Sequence, residues 1–77
     1  MLYFVVKRDG VTDDYSYCGA PCTSEEEARE IIWDRTYNLA HSGFFHLEEP
    51  VKKCIQVIHD DGAILETYSI FVAGRED

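Results

Sequence analysis

The sequence predicts an α+β fold: a four-stranded, largely antiparallel sheet built from two hairpins, with one amphipathic helix packed on a face of the sheet (ββαββ). Three observations lead to this prediction. An Asp-Gly pair stands between two apolar, β-branched or aromatic runs near the start of the chain, and a second such pair stands near the end. Between these two regions lies a segment with helix-capping residues and apolar residues at helical spacing.

The first hairpin is predicted around Asp9-Gly10. The run LYFVV precedes this pair, and apolar residues resume at Val11. Asp-Gly is a strong hairpin signal between such runs because both turn positions must tolerate positive φ. We expect strands over about 2–8 and 11–18.

The helix is predicted over TSEEEAREIIWDRTYNLAHSG. Thr23 and Ser24 can cap the free backbone N–H groups at its start, and three glutamates follow where the helix dipole favours negative charge. Gly43 is suited to end it. The stripe expected to pack on the sheet consists of Ala28, Ile31, Ile32, Arg35 and Leu39, with Arg35 lying along the margin by its aliphatic stem.

The second hairpin is predicted around Asp61-Gly62, between strands at 51–59 and 63–72. The segment 44–50 is interpreted as a connection from the helix. Pro50 supports this interpretation because proline lacks the N–H that a strand interior needs, so the third strand is expected to begin after it.

Length and charge limit the classes of function. The 77 residues predict a single domain over 1–77 that is too small for a deep substrate cavity. Seven basic and fifteen acidic residues give a formal net charge of −8, which opposes direct binding to nucleic acid or to an anionic membrane surface. An odd cysteine count and the lack of a signal-like or membrane-spanning segment lead us to expect a cytoplasmic protein.

The stretch CGAPC is the one that most resembles a chemical site. Cys18 and Cys22 have a spacing that zinc ligands allow, and Cys54 is the third cysteine. A zinc site needs a second converging ligand pair, which the sequence does not offer. Cys22 lies just before the helix, where the helix dipole lowers the pKa of a thiol and favours moderate acidity and redox activity. We favour a turn flanked by structural cysteines, with a zinc-supported or redox-sensing regulatory domain as the alternative.

No catalytic arrangement is expected. The sequence contains no local signature that joins a nucleophile to a base and an orienting group, no calcium loop and no phosphate-binding glycine loop. We therefore predict a protein that is not an enzyme and that has no metal or other cofactor.

The helix instead carries a pattern suited to binding a protein. Glu26, Glu30 and Asp34 repeat at i, i+4 and i+8 on the side away from the apolar stripe, where like charges destabilise the helix slightly. Trp33 and Tyr37 lie next to this row. The two aromatics either pack against the 44–47 segment or, if exposed, form an anchor with an acidic rim.

Further acidic residues, Asp13 and Asp14, are expected to extend the negative surface onto the sheet. The predicted partner-binding residues are therefore Glu26, Glu30, Trp33, Asp34, Tyr37, Asp13 and Asp14. Acidic side chains on a strand also discourage edge pairing, which is the alternative interpretation of Asp13 and Asp14.

The order of elements, the length and the acidic clusters SEEEARE, HLEEP and HDDG resemble those of small phage-encoded anti-CRISPR proteins. Several of those proteins are acidic α+β domains that block a CRISPR effector. The resemblance extends over the whole chain and involves no shared motif. It implies a non-enzymatic inhibitor in the host cytoplasm that occludes a basic, nucleic-acid-binding surface of a partner such as an effector subunit. The chain itself is expected to be a monomer, or a homodimer formed through an open strand edge.

Overall fold

The computed structural model describes residues 1–74 as one five-stranded antiparallel sheet with one α-helix on it. Residues 75–77 of the predicted domain lie outside the described residues. The strands lie side by side in the order β2-β1-β5-β4-β3. Along the chain the elements are β1 (Leu2–Asp9), β2 (Tyr15–Tyr17), α1 (Glu25–Ala40), β3 (Phe45–Val51), β4 (Cys54–His59) and β5 (Ile64–Ala73).

The α+β class is confirmed, whereas the prediction of four strands in the order ββαββ is wrong. The supposed connection at 44–50 is largely strand β3, and Lys52 and Lys53 turn the chain into β4. Pro50 lies inside β3 rather than before it. The sheet tolerates this proline because β3 is an edge strand, where a missing N–H need not cost a ladder hydrogen bond.

The first connection also differs from the prediction. The second strand is limited to Tyr15–Tyr17, and residues 10–14 form a longer loop. The Asp9 carboxylate organises this loop by accepting hydrogen bonds from the backbone N–H groups of Val11 (2.8 Å) and Thr12 (3.1 Å). These bonds lower the pKa of Asp9, with Thr12 the larger cause. Asp13 adopts the positive φ of 65° within the loop.

The turn between β4 and β5 has the predicted residues. Gly62 has a φ of 92°, and Asp61 Oδ1 accepts the Ala63 N–H at 2.8 Å. His59 N–H donates to the Ala63 carbonyl at 2.8 Å, which closes the loop. The Asp-Gly signal identified this hairpin, but only its glycine has the positive φ on which the signal rests, since Asp61 does not adopt one.

Helix α1 begins as the capping residues predict. Ser24 is the N-cap, and its hydroxyl accepts the Glu27 N–H at 3.1 Å. Ala28, Ile32 and Thr36 are buried against the sheet, and Thr36 satisfies its hydroxyl by donating to the Ile32 carbonyl at 2.8 Å. Arg35, which was expected along the margin of the stripe, is exposed. The helix ends at Ala40, before Gly43 with its φ of 85°.

The core lies between α1 and one face of the sheet. Central strands contribute Val5 from β1, Ile55 and Val57 from β4, and Tyr68 and Ile70 from β5. Helix α1 packs against β1, β3, β4 and β5. The opposite face of the sheet has no packed layer within residues 1–74.

Candidate protein-binding face

The solvent side of α1 collects the predicted helix residues on one surface. With 3.6 residues per turn, Glu26, Glu30 and Asp34 lie opposite the buried Ala28, Ile32 and Thr36. All three acids are exposed, and so are the predicted aromatics beside them. We call the surface formed by Glu26, Glu30, Trp33, Asp34 and Tyr37 the outer face of α1.

The two aromatics do not fill the core. Trp33 is 45% exposed and Tyr37 is 60% exposed, whereas Phe45 and Leu47 from the 44–47 segment pack against the core. Tyr37 stacks on the His41 ring one turn later, with 4.1 Å between the ring centroids. The outer face therefore presents aromatic surface to solvent.

The row of acids differs from the acids that stabilise the fold. The Arg29 guanidinium binds two acids that stabilise the fold. Its Nε donates to Glu25 Oε2 at 3.0 Å, and its two terminal nitrogens donate to the Glu49 carboxylate in a bidentate contact at 2.9 and 3.0 Å. Within residues 1–74, no salt bridge involves Glu26, Glu30 or Asp34. The charge of the row is therefore not neutralised by the described part of the chain.

Asp13 and Asp14 lie in the loop between β1 and β2, not on the helix. Asp13 forms an ion pair with Arg8, whose Nε donates to Asp13 Oδ1 at 2.8 Å. The Asp14 carbonyl accepts the Asp9 N–H at 2.9 Å. These contacts attach the loop to β1. They do not join Asp13 or Asp14 to the outer face of α1.

The cysteines of CGAPC occupy the two ends of a loop that continues the pairing of β1. Cys18 N–H donates to the Val5 carbonyl at 2.8 Å, and Cys22 and Tyr3 exchange two backbone hydrogen bonds of 2.8 Å. Both cysteine side chains are in the core, 1% and 5% exposed, and all three cysteines of the chain are free. Gly19 turns the loop with a φ of 75°.

This geometry separates the cysteines that the zinc and redox alternative would combine. Strand alternation places Cys54 on the side of the sheet opposite its neighbour Ile55, which faces the core with Cys18 and Cys22. Within residues 1–74, no group of three His, Cys, Asp or Glu side chains could hold a metal ion. Burial, followed by the charge of Glu27, raises the pKa of the Cys22 thiol, which is opposite to the lowering expected beside a helix start.

A second surface was not anticipated from the sequence. On the side of the sheet away from α1, a groove of about 500 Å³ is lined mainly by Phe4, Val6, Tyr15, Tyr17 and Phe71. The run LYFVV in β1 is the sequence feature that could have indicated this surface. An uninterrupted apolar run in a strand is typical of a sheet covered on both faces.

Comparisons with protein-family models, with curated proteins and with solved structures found no match to the chain. Among residues 1–74, no helix has the length and apolar character required to cross a membrane.

Proposed function

We propose that the chain is a non-enzymatic inhibitor that binds a basic surface of another protein with the outer face of α1 and thereby blocks that surface. The observation that carries the proposal is the exposure of Trp33 and Tyr37 beside the row of three exposed carboxylates. Aromatic side chains surrounded by a polar rim are the usual anchors of protein interfaces. A partner would cover surface that the fold leaves open.

The charge of the outer face indicates the chemistry of the partner. Like charges at i and i+4 repel one another on an isolated helix, and lysine or arginine side chains from a partner would remove this repulsion. The net charge of −8 would also steer the chain toward a basic surface and raise the association rate.

Among basic protein surfaces, those that bind nucleic acid carry many lysine and arginine side chains to neutralise phosphates. The partner we propose is therefore a nucleic-acid-binding protein, such as a CRISPR effector subunit. The chain would occupy the partner's nucleic-acid site without binding nucleic acid itself, because its own charge repels phosphates.

The test is affinity capture from a lysate of the natural host at low and moderate salt, with wild type beside Glu30→Lys/Asp34→Lys. We expect wild type to retain a nucleic-acid-binding protein that the double variant loses. For the purified pair, charge reversal should slow association by roughly tenfold or more and flatten its salt dependence. Trp33→Ala should act mainly by speeding dissociation, at a cost of about 2 kcal/mol or more if Trp33 is an anchor.

The matched control is Glu48→Lys/Asp60→Lys, which changes the net charge equally but alters exposed acids away from α1. Equal loss of binding by both double variants would show that binding depends only on net charge. It would contradict specific binding through the outer face of α1. A captured partner that still binds nucleic acid when saturated with the chain would contradict inhibition.

A further inference from the structure

The uncovered side of the sheet is a continuous apolar surface built from three adjacent strands. Val6 pairs with Tyr17, and Phe4 pairs with Phe71, so these side chains share one face. The Phe4 and Tyr17 rings contact edge to face with centroids 6.2 Å apart. We call the surface formed by Phe4, Val6, Tyr15, Tyr17 and Phe71 the aromatic face.

The aromatic face is large enough to form the centre of a dimer interface. Tyr15 is 69% exposed, Tyr17 74% and Phe71 56%. Because a Phe or Tyr side chain offers ~150–250 Å², these three alone present roughly 300–500 Å² to solvent. A standard interface buries about 800 Å² on each partner, with the apolar part at its centre. The groove among these rings gives side chains from a partner surface room to interdigitate.

The charge on this side of the sheet is compatible with a second copy of the same chain. Within the described strands, alternation assigns Arg8, His46 and one acid, Glu48, to this side; Arg8 is already paired with Asp13, and His46 lies beside Glu48. The excess of acids therefore lies elsewhere on a chain of net charge −8. Two such faces can approach each other without the local repulsion that two outer faces of α1 would suffer.

The edges of the sheet are less suited to self-association than its face. Edge strand β2 has three residues, and edge strand β3 contains Pro50 together with Glu48 and Glu49. Short strands, proline and charge are the usual features that block pairing at an edge. The part of β1 beyond β2 is already paired with Cys18 and Cys22.

We propose that a second copy of this chain covers the aromatic face, so that two sheets pack face to face about a twofold axis. Such an interface is self-complementary, and the two aromatic faces form the inner layers of the dimer. The dimer then has the layer order helix, sheet, sheet, helix. Both outer faces of α1 remain on the outside, so this proposal does not depend on the proposed function.

The test is sedimentation equilibrium of the full chain from low to high micromolar concentration. We expect a monomer–dimer equilibrium for wild type. Tyr17→Lys/Phe71→Lys should raise the dimer dissociation constant by roughly tenfold or more, because it places lysines at the centre of the interface. These substitutions reduce the net negative charge, so weaker association cannot result from greater overall repulsion.

Two control variants separate the aromatic face from the other surfaces. Trp33→Ala changes the outer face of α1, and Asn38→Lys adds a lysine elsewhere on the exposed side of the helix; both should leave the dimer intact. Circular dichroism establishes that each variant is folded. We expect Tyr17→Lys/Phe71→Lys to fold, because both side chains are exposed in the monomer. A wild type that is monomeric throughout, or a dimer that survives Tyr17→Lys/Phe71→Lys, would overturn the proposal.

Salt dependence provides a second readout. Screening should strengthen the dimer, because two chains of net charge −8 repel at long range and the interface is apolar. Binding of the outer face of α1 to a basic partner should weaken under the same conditions. Dimerisation that weakens with salt would contradict packing through the aromatic face.

Discussion

At Gly10 the backbone of β1 continues so close to β5 that a side chain has no space. Gly10 N–H donates to the Leu65 carbonyl at 2.8 Å, and a Cβ atom on Gly10 would overlap the Ile64 carbonyl oxygen. The glycine is therefore required for close approach between two strands. The positive φ that an Asp-Gly hairpin demands occurs instead at Asp13.

Gly10→Ala should destabilise the protein because the new methyl group displaces the β5 backbone. We expect a loss of about 3 kcal/mol or more in the free energy of unfolding, at the upper end for overpacking. Urea denaturation measures it. The control is Gly62→Ala, where nothing lies within 4 Å and the φ of 92° alone is unfavourable, so the loss should be about 1 kcal/mol. Equal losses would show that crowding by β5 is not the cause.

The Arg29 guanidinium connects the helix to the β3–β4 hairpin. Hydrogen bonds from Arg29, followed by the Lys53 backbone N–H, lower the pKa of Glu49 from its usual 4.5 to about 2. A carboxylate with a lowered pKa stabilises the folded state above its unfolded pKa. That contribution is lost as the pH falls through the folded pKa.

Glu49→Gln should therefore change how stability depends on acid. We expect the variant to be less stable than wild type above about pH 4.5, with the difference shrinking as the pH falls to 2, because protonated Glu49 no longer binds Arg29 as a carboxylate. Chemical denaturation across this pH range measures the difference. The neighbouring Glu48→Gln is the control, since Glu48 faces the other side of β3 and is near His46. A pH-independent difference for Glu49→Gln would contradict this role.

Among the elements, those with local signals were predictable and those specified by tertiary contacts were not. The start of α1 and the Asp61-Gly62 turn follow from capping and from a glycine at positive φ. The turn between β3 and β4 gave no such signal, because its positive φ of 66° belongs to Lys53. Sequence patterns associate that conformation with glycine or asparagine, so the hairpin and its first strand were missed.

The two candidate binding surfaces were predictable from the sequence to different extents, again because one depends on local pattern and the other on tertiary contacts. Helical periodicity placed Glu26, Glu30 and Asp34 on one side, as the structure has them. Whether Trp33 was exposed depended on how β3 packs, which the sequence left open. The aromatic face was missed because an apolar run such as LYFVV does not reveal whether a second layer of the same chain covers the strand.

The N-cap provides a test of how α1 is specified. Ser24→Ala removes the acceptor for the Glu27 N–H and should cost about 1 kcal/mol of stability, within the usual range for lost caps. Ser24→Asp keeps an acceptor and adds negative charge at the helix start, so it should remain close to wild type. Thermal or urea denaturation of both variants measures the effect. An equally large loss with Ser24→Asp would indicate that the hydroxyl acts other than as a cap.

At the scale of the whole molecule, charge and apolar surface lie on opposite sides. Helix α1 turns its acidic row away from the sheet, while the aromatic face lies on the far side of the same sheet with little charge. The two proposed interactions therefore do not compete for surface. A dimer would present two outer faces of α1. A partner with two basic sites of suitable spacing would bind the dimer more tightly than the monomer, because the first contact raises the effective concentration of the second face.

Two neighbouring interior strands of the sheet, β1 and β5, come from opposite ends of the described chain. Leu2 pairs with Ala73, and the β1–β5 pairing continues from there to Asp9 and Glu66. Local contacts can build α1 and the β3–β4 hairpin early, but the centre of the sheet forms only after the chain closes a loop over nearly all of residues 1–74. Such non-local pairing slows folding. A growing chain would thus carry the apolar run of β1 without its main partner until β5 is available, and completion of the sheet is the step at which folding competes with aggregation.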